Sequence, residues 1–203
     1  MAILYPLVMP SSPAPAGAEL YIERNQAKIY SFSKLMHVQR NPGDRWIGKL
    51  TLPLLSVDQA ADWLGFFDAL DGHIGTFKMI HPDFTVIRGT AGNNQGAVSG
   101  AGQIGTAILT SGWPFSTANL FRRGDVIEIG NKLKRIVADV ASDAAGNAVL
   151  DVAPAFYSAP ANALVVKTIN PGGLFRLSEG FVQPSSDMLR RHTISFAIEE
   201  LLP

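Results

Sequence analysis

The sequence predicts a mainly β protein in two parts: a split β-barrel or sandwich domain with one α-helix, and a small OB-like β-barrel inserted into it. Three observations carry this. Apolar residues alternate with period two through Trp46–Leu54 and again through the HTISFAI run, His192–Ile198. Only 57–70 combines helical spacing with start and stop signals. Between about Val86 and Val165 the chain turns into short β-prone pieces separated by turns, and holds ten of its nineteen glycines.

In chain order, residues 1–18 read as an extended arm, because SSPAPAG (Ser11–Gly17) has little capacity to form a core. Leu20–Val38 is strand-like, with a turn at Asn25-Gln26, and Asn41-Pro42-Gly43-Asp44 is a second turn. In the next strand Trp46, Gly48, Leu50, Leu52 and Leu54 share a face, and Pro53 marks its end. Ser56 with Gln59 is a capping box, and Asp71-Gly72 supplies a left-handed stop. Ala60, Leu64 and Phe67, widened by Trp63, Phe66 and Leu70, form the apolar stripe of that helix. Thr76–Ile80 is a strand stopped by His81-Pro82.

In the middle region Ala107–Thr110, Val126–Ile129, Leu133–Val140, Ala148–Val152 and Leu164–Lys167 read as five strands, with a hairpin loop at Asp143–Asn147. After Asn170-Pro171-Gly172-Gly173 the first pattern returns. The division is therefore 19–85 with 167–203 as one β-domain, and 86–166 as the inserted barrel.

Composition excludes whole classes of function. The 203 residues contain no cysteine, so disulfide scaffolds, thiolate metal sites and cysteine nucleophiles are impossible. Lys plus Arg equals Asp plus Glu, leaving no electrostatic footprint for nucleic acid or an anionic membrane. Charged residues make up 17% against a usual quarter or so. That shortfall predicts a surface partly covered by other copies of the chain. Met1–Pro10 is apolar but lacks a basic start and is broken by Pro6 and Pro10, which does not fit a secretion leader. No apolar run approaches the length needed to span a bilayer, and the expected site of synthesis and assembly is the cytoplasm.

The motifs that suggest chemistry fail on context. Gly100-Ala-Gly102-Gln-Ile-Gly105 matches a dinucleotide fingerprint with Asp125 beyond it, but the following residues are β-prone and broken by Gly112 and Pro114, so no helix can receive a phosphate. His37, His73, His81 and His192 show no metal-ligand spacing, and His73 and His81 read as turn or surface residues. Glu199-Glu200 and Asp68/Asp71 read as solvated faces. Arg122-Arg123 with Lys132, Lys134 and Arg135 is the one basic cluster; Asp125, Glu128 and Asp139 dilute it, which favours ion pairing over nucleic-acid binding. No catalytic, cofactor-binding or metal residue is assigned.

The run Trp46-Ile-Gly-Lys-Leu-Thr-Leu-Pro-Leu, the helix with Trp63, Phe66, Phe67 and Leu70, and Gly72, Gly75 and Phe77 resemble the start of the distal tail proteins of long-tailed bacteriophages. Gly100-Ala-Gly-Gln-Ile-Gly, Gly112-Trp113-Pro114, Gly124-Asp125, Asp143…Gly146…Pro154 and Phe175-Arg176-Leu177 are similar to the rest of that group, from about Glu19 to Ile198. The resemblance implies a virion protein at the tail tip, a homo-hexameric ring joining the tail tube protein to the tail-tip hub or baseplate. It implies a ring-forming belt domain and a peripheral domain, with DNA passing through the lumen. The alternative reading is an accessory carbohydrate-binding module, holding a saccharide on Trp113, Phe115, Phe156 or Tyr157. For the ring, Tyr21, Ile22, Tyr30 and Phe32 are the expected subunit contacts, because interface anchors are commonly large apolar and aromatic side chains.

Overall fold

The computed structural model describes residues 3–202; Met1 and Ala2 of the expected arm, and Pro203, lie outside them. The first strands are β1 (Leu7–Val8), β2 (Gly17–Glu23), β3 (Gln26–Tyr30), β4 (Met36–Arg40) and β5 (Arg45–Thr51), followed by helix α1 (Val57–Leu70) and β6 (Phe77–Ile80). A second group comprises β7 (Ala97–Val98), β8 (Gly105–Ser111), β9 (Val126–Ile129), β10 (Lys132–Ile136), β11 (Ala148–Phe156) and β12 (Val166–Lys167). The last group is β13 (Gly172–Leu177), β14 (Ser185–Ser186), β15 (His192–Thr193) and β16 (Ser195–Glu200). The protein is mainly β, with one α-helix among the described residues.

Two six-stranded sheets form. The first, in the order β1-β6-β13-β16-β5-β2, combines strands from early and late in the chain; the second, β12-β9-β10-β11-β8-β7, lies wholly between them. The segments that leave and rejoin the first sheet run side by side. Asn170 N–H donates to the Thr85 carbonyl at 3.0 Å, and Val86 bridges Ile169. The second sheet nearly closes into a barrel. Ala97 bridges Val165, Val98 N–H donates to Leu164 at 2.9 Å, and Val166 N–H donates to Gly96 at 2.8 Å. Its sixth strand, β7, is two residues long, too short for any period to reveal it. β10 stops at Ile136 rather than Val140, which instead bridges Phe121. The N-terminal segment is extended but not loose: β1 pairs with β6 in parallel, and Leu7 and Met9 pack on the core.

Helix α1 begins with the capping box. Ser56 Oγ accepts the Gln59 N–H at 3.4 Å while the Gln59 side chain accepts the Ser56 N–H at 3.0 Å. It ends on Asp71 at φ 50° and Gly72 at φ 66°. Ala60, Trp63, Phe66, Phe67 and Leu70 are buried on the first sheet, with Phe67 4.8 Å from Phe196 and Phe66 5.6 Å from Phe77, ring centre to ring centre. Leu64 is only half-buried. At 100° per residue it falls about 100° from the centre of the stripe, so it flanks the core instead of leading it. The alternation through β5 likewise holds only to Leu52. After Pro53, Leu54 turns outward and Leu55 is buried.

The two sheets share a seam. β9 and β10 bury both faces: Ile127, Ile129 and Ile136 fill the barrel, while Val126 and Leu133 join the core of the first sheet. Glu200, at the end of β16, reaches into this junction. Its carboxylate accepts the Leu133 N–H at 2.8 Å and the Trp46 N–H at 3.4 Å, and the Trp46 indole N–H donates to the Leu133 carbonyl at 2.9 Å. The expectation that Glu199-Glu200 is a solvated pair is therefore corrected. Neighbours in a strand face opposite ways, so Glu199 pairs with Arg176 at 2.7 Å and Arg45 at 2.8 Å on the other face, and both glutamates are buried. Glu128 makes a second tie, accepting from Lys78 Nζ at 2.6 Å and the Gly172 N–H at 2.9 Å. A side chain at Gly173 would meet Phe175 at 2.7 Å and Leu133 at 3.1 Å, so the close approach requires glycine there.

Burial is the main influence on Glu200 and raises its carboxyl above the ordinary value, opposed chiefly by Lys134 and the two amides. Lys134 points into the barrel, donates to the Ala155 carbonyl at 3.3 Å and lies 4.4 Å from the Phe156 ring centre. Burial lowers its pKa to about 8, against the pull of Glu200.

Because Leu133 serves the core of the first sheet from a strand of the second, the protein is expected to unfold in one transition. Leu133→Ala should lower that single transition by about 2–5 kcal/mol; two separated calorimetric transitions would contradict the shared core. Lys134 generates a second prediction. A lysine with a folded pKa below its unfolded value of 10.5 binds fewer protons when folded, so stability rises between about pH 8 and 10.5. Urea midpoints across that range should rise more steeply for the wild type than for Lys134→Met, and identical slopes would show that the amine is not desolvated.

Candidate assembly surface

β3 and β4 form a separate two-stranded ribbon, pairing Tyr30 with Met36, Ile29 with His37 and Lys28 with Val38. All ten of its strand residues are exposed, on both faces. Directly paired residues share a face, so Tyr30, Met36 and Val38 lie on one side and Ile29 on the other. Leu35 and a fully exposed Phe32 crown the tip. A two-stranded ribbon alone in water is marginal at best, and exposed apolar groups of this kind make it a candidate contact surface.

The root of the ribbon is held by one carboxylate. Asp44, 1% exposed, accepts from Arg24 and Arg40 at 2.9 Å each and from the Asn25 N–H at 2.9 Å. Asn25 also donates to the Pro42 carbonyl at 2.7 Å, and the Asp44 N–H donates to the Tyr157 hydroxyl at 3.1 Å. Burial alone would raise the Asp44 carboxyl. The hydrogen bonds from Arg24, Asn25 and Arg40 outweigh it and hold the carboxyl below its ordinary value.

The four expected contact residues do not share one fate. Tyr30 and Phe32 lie on the ribbon, and Tyr21 is exposed on β2, an edge strand of the first sheet. Ile22 faces the other way: β2 alternates, and Ile22 falls on the inner, partly buried set with Ala18 and Leu20, against the core. Ile29, Leu35, Met36 and Val38 are not among the contacts expected from the sequence, although apolar residues at both parities of a short hairpin signal cover wanted on both faces. A second apolar group, Phe181, Met188 and Leu189, is exposed before and at the turn joining β14 to β15.

The remaining candidates have structural explanations. Gly100, Gly102 and Gly105 all have positive φ in the turn into β8, and the Gln103 side chain binds the Ser99 carbonyl and the Leu109 N–H. Asp125 is buried and accepts from the amides of Arg88, Gly89 and Arg122. The basic cluster is divided by strand alternation: Lys134 enters the barrel, Arg135 lies over Trp46 at 4.7 Å, and exposed Arg122 and Arg123 line a cleft of about 490 Å³ with Arg88 and Asp139. His81 is buried rather than on the surface. One ring nitrogen lies 3.1 Å from the Ala18 carbonyl, and the ring stacks on Phe84. His73 is exposed, with one ring nitrogen 3.2 Å from the Leu177 carbonyl.

Among the described residues no group of three or more His, Asp or Glu is arranged to hold a metal ion. Among the described residues no helix is long and apolar enough to cross a membrane. The four aromatics considered for a saccharide make no common platform. Trp113 and Phe156 are buried, Tyr157 is bound to the Asp44 amide, and Phe115 alone is widely exposed. No protein-family model matches the chain, and no curated protein is similar to it in sequence.

Asp44 makes the ribbon acid-sensitive. A carboxyl lowered on folding stabilises fully above its unfolded value, near pH 4, and loses that contribution as pH falls through the lower folded value. Wild type should exceed Asp44→Asn by on the order of 2 kcal/mol at pH 6, since its arginine partners are half in water. The two stability curves should converge below about pH 4; curves that stay parallel would remove Asp44 from this role.

Proposed function

We propose that this chain is a structural subunit of a bacteriophage-type tail, a distal tail protein whose copies form a hexameric ring between the tail tube and the tail-tip hub. The observation that carries the reading is the β3–β4 ribbon, apolar on both faces and uncovered within its own chain. A ring subunit needs such a surface, and a heterologous contact repeated around an axis covers it in every copy. Further support comes from the residues that resemble distal tail proteins and from a β-sheet interrupted by a small barrel, the plan that resemblance implies. The zero net charge suits a lumen that DNA must traverse without being held by many phosphate contacts. The saccharide-binding alternative has no comparable observation in its favour.

The purified chain is expected to give a native mass six times that of the 21.8-kDa subunit, or, with tail-tube and hub proteins, a larger complex that contains six copies of it. Tyr30→Asp with Phe32→Asp should leave the circular dichroism unchanged and abolish that species. A wild-type chain that stays monomeric under all these conditions would overturn the reading.

A further inference from the structure

The exposed face of α1 is acidic without relief. From Leu52 to Gly72 the chain carries Asp58, Asp62, Asp68 and Asp71 and no Lys, Arg or His. Two of these stand at the worst end. Asp68 is in the last turn of α1 and Asp71 is its C-cap, where the helix dipole is already negative and a cation is favoured. None of the ion pairs among the described residues involves either of them. Beside them lies a cleft of about 280 Å³ whose apolar lining includes Leu64, Phe67 and Phe181, the last widely exposed. At ~30 Å³ per water this is room for one or two side chains, too little for a folded partner.

The ribbon is the converse. From Asn25 to Gly43 it carries Lys28, Lys34 and Arg40 and no carboxylate. Arg40 is committed to Asp44, which leaves Lys28 and Lys34 toward the tip. Phe32 and Leu35 flank Lys34, so the tip presents an aromatic group next to a cation. The cleft presents an apolar floor next to two carboxylates.

We infer that the β3–β4 ribbon of one copy seats in the cleft beside α1 of the next, with Phe32 entering among Leu64, Phe67 and Phe181 and Lys34 meeting Asp68 and Asp71. The inference rests on the ring reading and deepens it by naming the socket. Plug and socket are different surfaces of one chain, so the contact is heterologous and propagates head to tail until the rotation closes. The apolar tip supplies the buried anchor. The charges set register and disfavour ribbon-to-ribbon and cleft-to-cleft contacts, in which like charges would face each other.

The chain has no cysteine, so introduced thiols report cleanly. Phe32→Cys chains mixed with Phe181→Cys chains and oxidised should give a covalent dimer, while Phe32→Cys mixed with Val149→Cys, an exposed position on the barrel, should give none. Lys34→Glu and Asp68→Lys should each weaken assembly about tenfold, and the double variant should recover most of the loss, as expected for a direct contact. A closed ring that forms without the 32–181 crosslink, or whose charge variants show no mutual rescue, overturns the socket and leaves the ring standing. A chain with neither crosslink nor assembly overturns both.

Discussion

A carboxylate buried between two sheets sets the form of this molecule. Glu200 receives one backbone amide from each side of the junction, Trp46 from the first sheet and Leu133 from the barrel. An isolated charge in that position would be strongly disfavoured. It is tolerated because two N–H groups and the nearby amine of Lys134 compensate it, and it then orients both sheets through hydrogen bonds of fixed direction. The indole of Trp46 closes the arrangement by donating back to the carbonyl of Leu133. Apolar packing follows the same line, since Leu133 and Val126 sit in the core of the neighbouring sheet. Hydrogen bonds and a shared core thus tie the barrel to the sheet that it interrupts.

That tie bears on the proposed ring. Sheets joined through a shared core present the ribbon and the cleft beside α1 in one relation, and a closed ring requires the same rotation at every contact. Asp44 extends this order to the ribbon itself. It fixes Arg24, Asn25 and Arg40 at the ribbon's base and connects through its own amide to Tyr157 of the barrel side. The apolar tip is therefore held out in water by polar contacts at its root, an arrangement with a cost that a partner surface would offset.

Much of the fold was legible because its local signals are strong. The Ser56–Gln59 box and the Asp71-Gly72 stop delimit α1 at the residues where the structure has them, and Val126–Ile129 is a strand with those bounds. What was illegible depends on pairing across long sequence distances. β7 is two residues long and exists only because the barrel nearly closes through it. Glu200 looks like half of a surface pair until the partners of β16 are known. Lys132, Lys134 and Arg135 look like one basic patch, yet strand alternation puts the two lysines and the arginine on opposite faces. The same rule, applied to β2, separates Ile22 from Tyr21. For the assembly surface, Tyr30 and Phe32 were visible as aromatics, whereas the bareness of both ribbon faces required the structure.

In the proposed ring the ribbon is bare in one copy and covered in the assembly. Hydrogen exchange read peptide by peptide, across a dilution series that shifts the protein between monomer and ring, tests it directly. Amides of Gln26–Arg40 are expected to exchange fast in the dilute protein and to become protected on assembly, together with those around Leu64–Asp71. Protection that appears elsewhere, with the ribbon exchanging equally fast in both states, would contradict it.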